Sequence, residues 1–337
     1  MKFNAEKSNM INMYILEKIE GGSESLSASV AEAFGISTNT VHSYLRKLQE
    51  QNIIIKAKRG EYKLVTNSFE YQLNRSMGHL DSETYAFDNC FEKHIKDLPQ
   101  NVYRIWEYAF SEMINNVVDH SAAENLAIQI EQSYLYTKVF IIDNGVGIFK
   151  KIKEHFSLPG IDEAICELFK GKLTTDSSNH SGEGIFFSSK MMDKFMIYSS
   201  GKVFTANKYS DESVFDISLG ESFGGTAVFM SLSNFSQRQA ADVFDQYASV
   251  DGGFTKTRIP LKNIFDTAPI SRSQAKRVCN RLDSFLEVEI DFDGLDWMGQ
   301  GFAHQMFVVY QNAHPDIKLV PTNMSENVQK MYNHVIS

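Results

Sequence analysis

Between residues 102 and 226 the polar and glycine residues fall in an order that few folds can accommodate. Residues 102–121 read as one helix, with Ile105, Ala109, Met113 and Val117 on an apolar stripe and Glu112, Asn116 and Asp119 on another. Spacings of four and three residues bring these polar side chains to one face of an otherwise apolar segment. Burying them is unfavourable unless they meet a ligand, a metal or one another, so the face is either a binding surface or a buried hydrogen-bond network. Downstream, an apolar strand starting at Lys138 ends in Asp143-Asn-Gly145-Val-Gly147, an acceptor at a strand end beside two glycines that let backbone come close to a ligand. Next come Lys170-Gly-Lys172-Leu-Thr174-Thr175 and Gly182-Glu-Gly184, the latter opening a helix whose first amides suit a phosphate. Gly224-Gly225-Thr226 then precedes a further strand. A lone Gly-x-Gly says almost nothing; in this order, with the Glu/Asn helix, the signal becomes strong.

Together they resemble the Bergerat ATP-binding fold shared by type II topoisomerase subunits, Hsp90 chaperones, mismatch-repair ATPases, histidine kinases and anti-sigma-factor kinases, over residues 84–235. The resemblance implies ATP and Mg²⁺ as cofactors. By it, Asp143 accepts from the adenine amino group, and Gly145 and Gly147 let base and ribose sit against the strand end. Asn116 reaches the magnesium, and Glu112 orients or deprotonates the attacking group. Gly182 and Gly184 leave amides free for phosphates, and Thr226 joins the nucleotide contacts. Asp119 either reaches the base through water or caps groups in its own helix. Residues 149–181 would form a lid offering Lys170, Lys172, Thr174, Thr175 and His180 to phosphates, although a loop lysine needs no ligand. After Thr226 neither a domain supplying a lysine to the γ-phosphate nor a phospho-acceptor hairpin is recognisable, so hydrolysis is expected to be slow or absent.

Residues 8–20 and 25–35 read as two short helices, the second stopped by Gly35, and Ile36-Ser37-Thr38-Asn39-Thr40 supplies a turn with N-capping residues for a third. Val41, Leu45 and Leu48 form the buried stripe of the third. Its other face carries Asn39, Thr40, His42, Ser43, Arg46 and Lys47, types suited to phosphates and base edges. Two extended runs joined by Lys58-Arg59-Gly-Glu make a hairpin with a basic tip. This order resembles a winged helix-turn-helix over residues 1–66, implying DNA contact through those residues and Lys58 and Arg59. The segment holds nine Lys/Arg against seven Asp/Glu, a surplus of +2 that leaves −11 for the rest of a chain of net charge −9. A single copy would bind DNA weakly, so a homodimer is expected. A three-helix module for protein contact is the alternative.

Past residue 236, strands and helices alternate. Ser271-Arg-Ser-Gln-Ala-Lys-Arg and the stretch Asp291-Phe-Asp-Gly-Leu-Asp-Trp-Met-Gly-Gln-Gly resemble STAS-like domains attached to bacterial ATP-binding proteins. Where phosphorylated STAS antagonists carry a serine, Met298-Gly299-Gln300-Gly301 has no hydroxyl. Phosphorylation of this domain is therefore not expected.

The expected architecture is multidomain α+β. A winged helix-turn-helix (1–66) and a linker (67–83) precede a Bergerat α/β sandwich with a mixed sheet and helices on one face (84–235), then an α/β STAS-like domain (236–337). With 43% hydrophobic residues the chain can build cores and is not disordered as a whole. No run approaches a membrane span, and a cytoplasmic location is expected. Cys90, Cys166 and Cys279 are too widely spaced for a zinc clip and read as structural thiols. The expected function is an ATP-binding, nucleotide-responsive DNA-binding regulator with a protein partner at the STAS-like domain. Alternatives are a serine/threonine kinase of the anti-sigma type acting on another chain, or an ATP-gated scaffold in a multi-protein system, for example an anti-phage one.

Overall fold

The computed structural model describes residues 5–23, 25–58, 60–173, 182–206, 223–248, 253–265 and 267–337. Arg59, Thr174, Thr175 and His180 lie outside the described residues.

The N-terminal unit comprises α1 (Ala5–Glu20), α2 (Leu26–Phe34), α3 (Thr38–Glu50) and the antiparallel hairpin β1 (Ile54–Lys58)/β2 (Glu61–Leu64). Gly35 adopts a left-handed φ of 61° that closes α2, and the Ser37 hydroxyl accepts the Thr40 amide to start α3. Ile11, Ile15, Val30, Val41, Leu45 and Leu48 form a small separate core. It meets the rest of the chain through Leu135 and Tyr136, beside a Lys138–Glu20 ion pair at 2.7 Å.

The central unit contains β3 (Asn67–Asn74), α4 (Glu83–Ala86) and α5 (Glu92–Ile95) joined by a π turn, and α6 (Gln100–Asn115), which continues into a second π turn (Asn116–Ser121). Then follow β4 (Asn125–Gln132), β5 (Tyr136–Asp143), α7 (Ile148–His155), α8 (Ile161–Lys170), α9 (Gly184–Met191), β6 (Lys194–Ser199), β7 (Lys202–Thr205) and β8 (Thr226–Ser233). The sheet order is β3-β4-β5-β8-β6-β7, antiparallel at every pairing.

Two expectations are corrected here. The supposed linker supplies an edge strand, because β3 pairs with all of β4 from Asn67↔Gln132 to Asn74↔Asn125. Its core-facing side carries Phe69, Tyr71 and Leu73, alternating with Glu70 and Gln72 as a half-buried strand does. The sheet is not mixed: the helical excursion from β5 to β6 does run between parallel strands, but β8 inserts between them and makes each contact antiparallel.

The third unit adds α10 (Ala240–Tyr247), β9 (Lys256–Pro260), α11 (Leu261–Ile264), α12 (Arg272–Cys279), β10 (Glu287–Asp291), α13 (Gln300–His304), α14 (Gln311–Ala313), β11 (Lys318–Thr322) and α15 (Glu326–Ile336). Its sheet, β11-β10-β9, is parallel. No boundary at residue 236 divides the packing. The core runs unbroken from the helix-covered face of the six-stranded sheet to β10 through Phe186, Phe187, Phe254 and Phe285. The three cysteines are buried and unpaired, and burial pushes Cys166 up to about 11 and Cys279 to about 12, so both are protonated thiols at neutral pH. Among the described residues no helix is long and apolar enough to cross a membrane.

Candidate functional site

Sheet order assembles the site. Because β5 and β8 are antiparallel neighbours, Asp143 at the end of one pairs with Thr226 at the start of the other, and Ser199 of β6 pairs with Thr226 from the far side. Motifs far apart in sequence thus meet at one edge of the sheet. Above that edge, α6, its π turn, α7, α8 and α9 enclose a cavity of about 250 Å³. Glu112, Asn116, Asp143, Gly147, Gly182, Gly184 and Thr226 all line it, on an apolar floor of Ile141, Ile197 and Val228.

Asp143 is 3% exposed. Burial raises its carboxyl to about 6, a rise limited by bonds from the Gly145 amide, at 2.7 Å, and from the amide and hydroxyl of Thr226. A buried carboxylate so placed is costly alone and favours a ligand that donates to it. The Thr226 hydroxyl also accepts the Ile148 amide at 3.0 Å, tying the first turn of α7 to the sheet.

The glycines are needed first for contacts within the protein. A Cβ on Gly145 would stand 2.2 Å from the Ser121 carbonyl oxygen, and one on Gly225 1.9 Å from that of Asp143. Gly147, at φ +80°, would bring a Cβ within 2.8 Å of both the Gly224 carbonyl and the Ser199 hydroxyl. At Gly184 a Cβ would lie 1.9 Å from Glu112 Oε2. The Glu112 carboxylate therefore sits against the first residue of α9, a favourable place for negative charge. It and Glu183, together with burial, hold the Tyr108 phenol well above its ordinary range.

Other expected contacts are placed elsewhere. Asp119 is exposed and outside the cavity lining, while His120 lines it. The reason is local: the helix widens into a π turn at Asn116, so the next residue on Asn116's face is four positions on instead of three. Lys170 is 1% exposed and fully committed, donating to Glu167 at 2.7 Å and to the carbonyls of Arg277 and Asn280 at 3.2 and 2.6 Å. Lys172 donates to the Ser284 carbonyl at 2.8 Å and lies over the rings of Phe254 and Phe285. Lys170 is thereby withheld from a phosphate in this arrangement, whereas the half-buried Lys172 keeps donors beyond its single bond.

Sequence reasoning missed Lys151. It is the one lysine or arginine among the described residues lining the cavity, and it donates to the His120 carbonyl at 2.7 Å. Burial lowers its pKa, against a raising influence from Asp119. The signal was present, since Ile148, Lys151 and Ile152 share the face of α7 that turns back to Gly147.

No group of three or more His, Cys, Asp or Glu able to hold a metal occurs among the described residues. Mg²⁺ commonly takes one or two protein oxygens and completes its shell with phosphates and water, and Asn116 lines the cavity with a side-chain oxygen of that kind.

In the N-terminal unit Asn39, His42, Ser43, Arg46 and Lys47 are exposed along α3. The Thr40 hydroxyl is engaged with Ser37 at 2.9 Å, and Lys58 forms an exposed ion pair with Glu61 at 2.8 Å. An exposed pair of this kind is worth about 1 kcal/mol or less and yields readily to a phosphate.

Comparison with curated proteins gives no match. A family model described as a STAS-like domain of unknown function (DUF4325) matches residues 274–329, from α12 into α15, so the chain carries a STAS-like domain at its C-terminal end.

Proposed function

We propose that this protein is an ATP-binding regulator with a Bergerat-type nucleotide site, acting on DNA through an N-terminal winged helix, with slow or no hydrolysis. The observation that carries the reading is the single cavity into which Glu112, Asn116, Asp143, Gly182, Gly184 and Thr226 converge. Asp143 would accept the adenine amino group above the apolar floor. Asn116 would hold Mg²⁺, which neutralises phosphate charge when bound. Glu112 of α6, whose carboxylate lies against Gly184 at the start of α9, would orient an attacking hydroxyl or water. With Lys170 buried and engaged on Glu167 and two backbone carbonyls, it offers no cation to a terminal phosphate, which favours slow turnover.

Response to nucleotide would pass through α8. Leu168 and the following Gly171 and Leu173 line the cavity, while Glu163, Glu167 and Lys170 face the STAS-like domain. Arg277 pairs with Glu163 at 2.8 Å; Arg281 pairs with Glu167 at 3.4 Å and lies over the Phe156 ring. One helix therefore touches both partners, as a coupling element must.

Calorimetry on the full chain tests the first half, with one MgATP site per chain expected. Retention of genomic DNA fragments with and without ATP tests the second. Absence of salt-sensitive retention in both conditions would move the reading to an ATP-gated scaffold, and phosphate transfer to another chain would move it to a kinase.

A further inference from the structure

We infer that Arg75 is a positioning residue for the nucleotide site: its guanidinium holds the π turn that directs Asn116 and His120 into the cavity. The inference rests on the nucleotide reading above.

A π turn that ends a helix leaves carbonyls without helical partners, and such groups need donors when half-buried. Here the donors come from outside the helix. Arg75 Nε donates to the Ala123 carbonyl at 2.8 Å, and one terminal nitrogen reaches those of Val118 at 3.1 Å and Val117 at 3.4 Å. Its own amide donates to the Glu124 carbonyl at 2.9 Å. The Ser121 hydroxyl adds a bond to Val117, and Lys151 takes the His120 carbonyl from the cavity side. Ala122 closes the turn with a left-handed φ of 52°. The turn is thus gripped by Lys151 in front and by the Arg75 fork behind. A planar fork can satisfy several diverging carbonyls at once, which a single ammonium cannot.

The neighbouring residue reinforces the same site. Asn74 Nδ2 donates to Asn125 Oδ1 at 2.9 Å, and Asn144 Oδ1 accepts the Asn125 amide at 2.9 Å. Asn144 lies between Asp143 and Gly145, so the end of β3 braces both the helix-face half and the Asp-x-Gly-x-Gly half of the site. Because β3 begins only two residues after β2, this brace also joins the hairpin of the N-terminal unit directly to the back of the cavity.

The test uses full-length protein with R75Q, R75K, N116A and the R75Q/N116A double variant. In ligand-free protein, hydrogen exchange should quicken in R75Q at amides 116–123 while the amides of β8 keep parental rates. By calorimetry, R75Q should weaken MgATP about tenfold or more, as loss of an outer-shell partner does. The double variant should bind no more weakly than N116A alone, because both changes remove the same contact. R75K, able to reach one carbonyl, should fall between parent and R75Q. Unchanged exchange at 116–123, or losses from R75Q and N116A that simply add, would overturn the assignment. If the parent itself binds no MgATP, the nucleotide reading fails and the exchange measurement alone decides the role of Arg75.

Discussion

Asp143→Asn separates the stability of the empty site from its function. The Asp143 carboxyl, ordinarily at 3.8, is raised to about 6 by burial. At about 1.4 kcal/mol per pH unit, keeping it ionised in the folded chain at neutral pH costs roughly 3 kcal/mol of stability. Asparagine removes that charge and can still accept from the Gly145 amide. It turns an NH₂ toward the Thr226 amide, however, and loses one bond worth about 1 to 2 kcal/mol. The balance is a gain of about 1 to 2 kcal/mol at pH 7. The sign with pH is fixed by which state binds more protons. Between about 6 and 3.8 the folded parent binds more protons than the unfolded chain, so its stability rises as pH falls through that window. The advantage of D143N should therefore shrink as pH falls below about 6 and reverse between about pH 5.2 and 4.5, where the remaining ionisation cost drops below the lost hydrogen bond. Urea unfolding of both proteins at pH 7 and pH 4.5 measures it. If D143N is less stable by the same amount at both, the carboxylate is not held ionised at a cost, and the argument that it awaits a donor collapses.

D143A should bind MgATP more weakly by roughly 1.5 to 3 kcal/mol if the lost bond to adenine is charge-assisted, read by calorimetry. E112A should keep nucleotide binding and lose whatever turnover the parent has in a phosphate-release assay; unchanged hydrolysis would make Glu112 structural. K170M leaves Glu167 buried beside only Asn280 and Arg281 and should destabilise the chain by about 3 to 5 kcal/mol, whereas the joint K170M/E167L change should recover much of that loss in thermal unfolding. R46A should lower specific DNA affinity by about 1 to 3 kcal/mol if it meets a base, on a site whose half-sites lie about 34 to 36 Å apart, by fluorescence anisotropy.

The sequence made the elements of the site readable because the motifs are local: an apolar strand ending in Asp143, a helix carrying Glu112 and Asn116, a glycine at 184. Their meeting place was less readable, since it depends on β8 slipping between β5 and β6, a choice made by long-range pairing with no local trace. Asp119 was misplaced because a π turn shifts the face by one residue, and the backbone bonds that define it come from Arg75, a residue outside any recognised motif. Lys170 and Lys172 looked like loop cations available to phosphate. Only the tertiary contacts reveal carbonyls of residues 277, 280 and 284 waiting for them. β3 was legible and overlooked: Phe69, Tyr71 and Leu73 alternate with Glu70 and Gln72, the period of a half-buried strand, within a stretch otherwise rich in polar residues.

The unbroken core from the six-stranded sheet to β10 means that this chain has fewer cooperative units than sequence modules. Phe186 and Phe187 of α9 pack on Tyr247 and Phe254, and Phe254 packs on Phe285, so melting the STAS-like domain removes the packing behind one wall of the cavity. Heating should therefore give one transition for residues 67–337 and a separable one for the N-terminal unit, whose core touches the remainder chiefly at Leu135 and Tyr136. A chain cut at residue 235 would expose the aromatic seam to water and aggregate, whereas a cut near residue 66 would pass between two self-sufficient interiors. Recombination during evolution faces the same asymmetry: the N-terminal unit is exchangeable, and the other two modules must travel together.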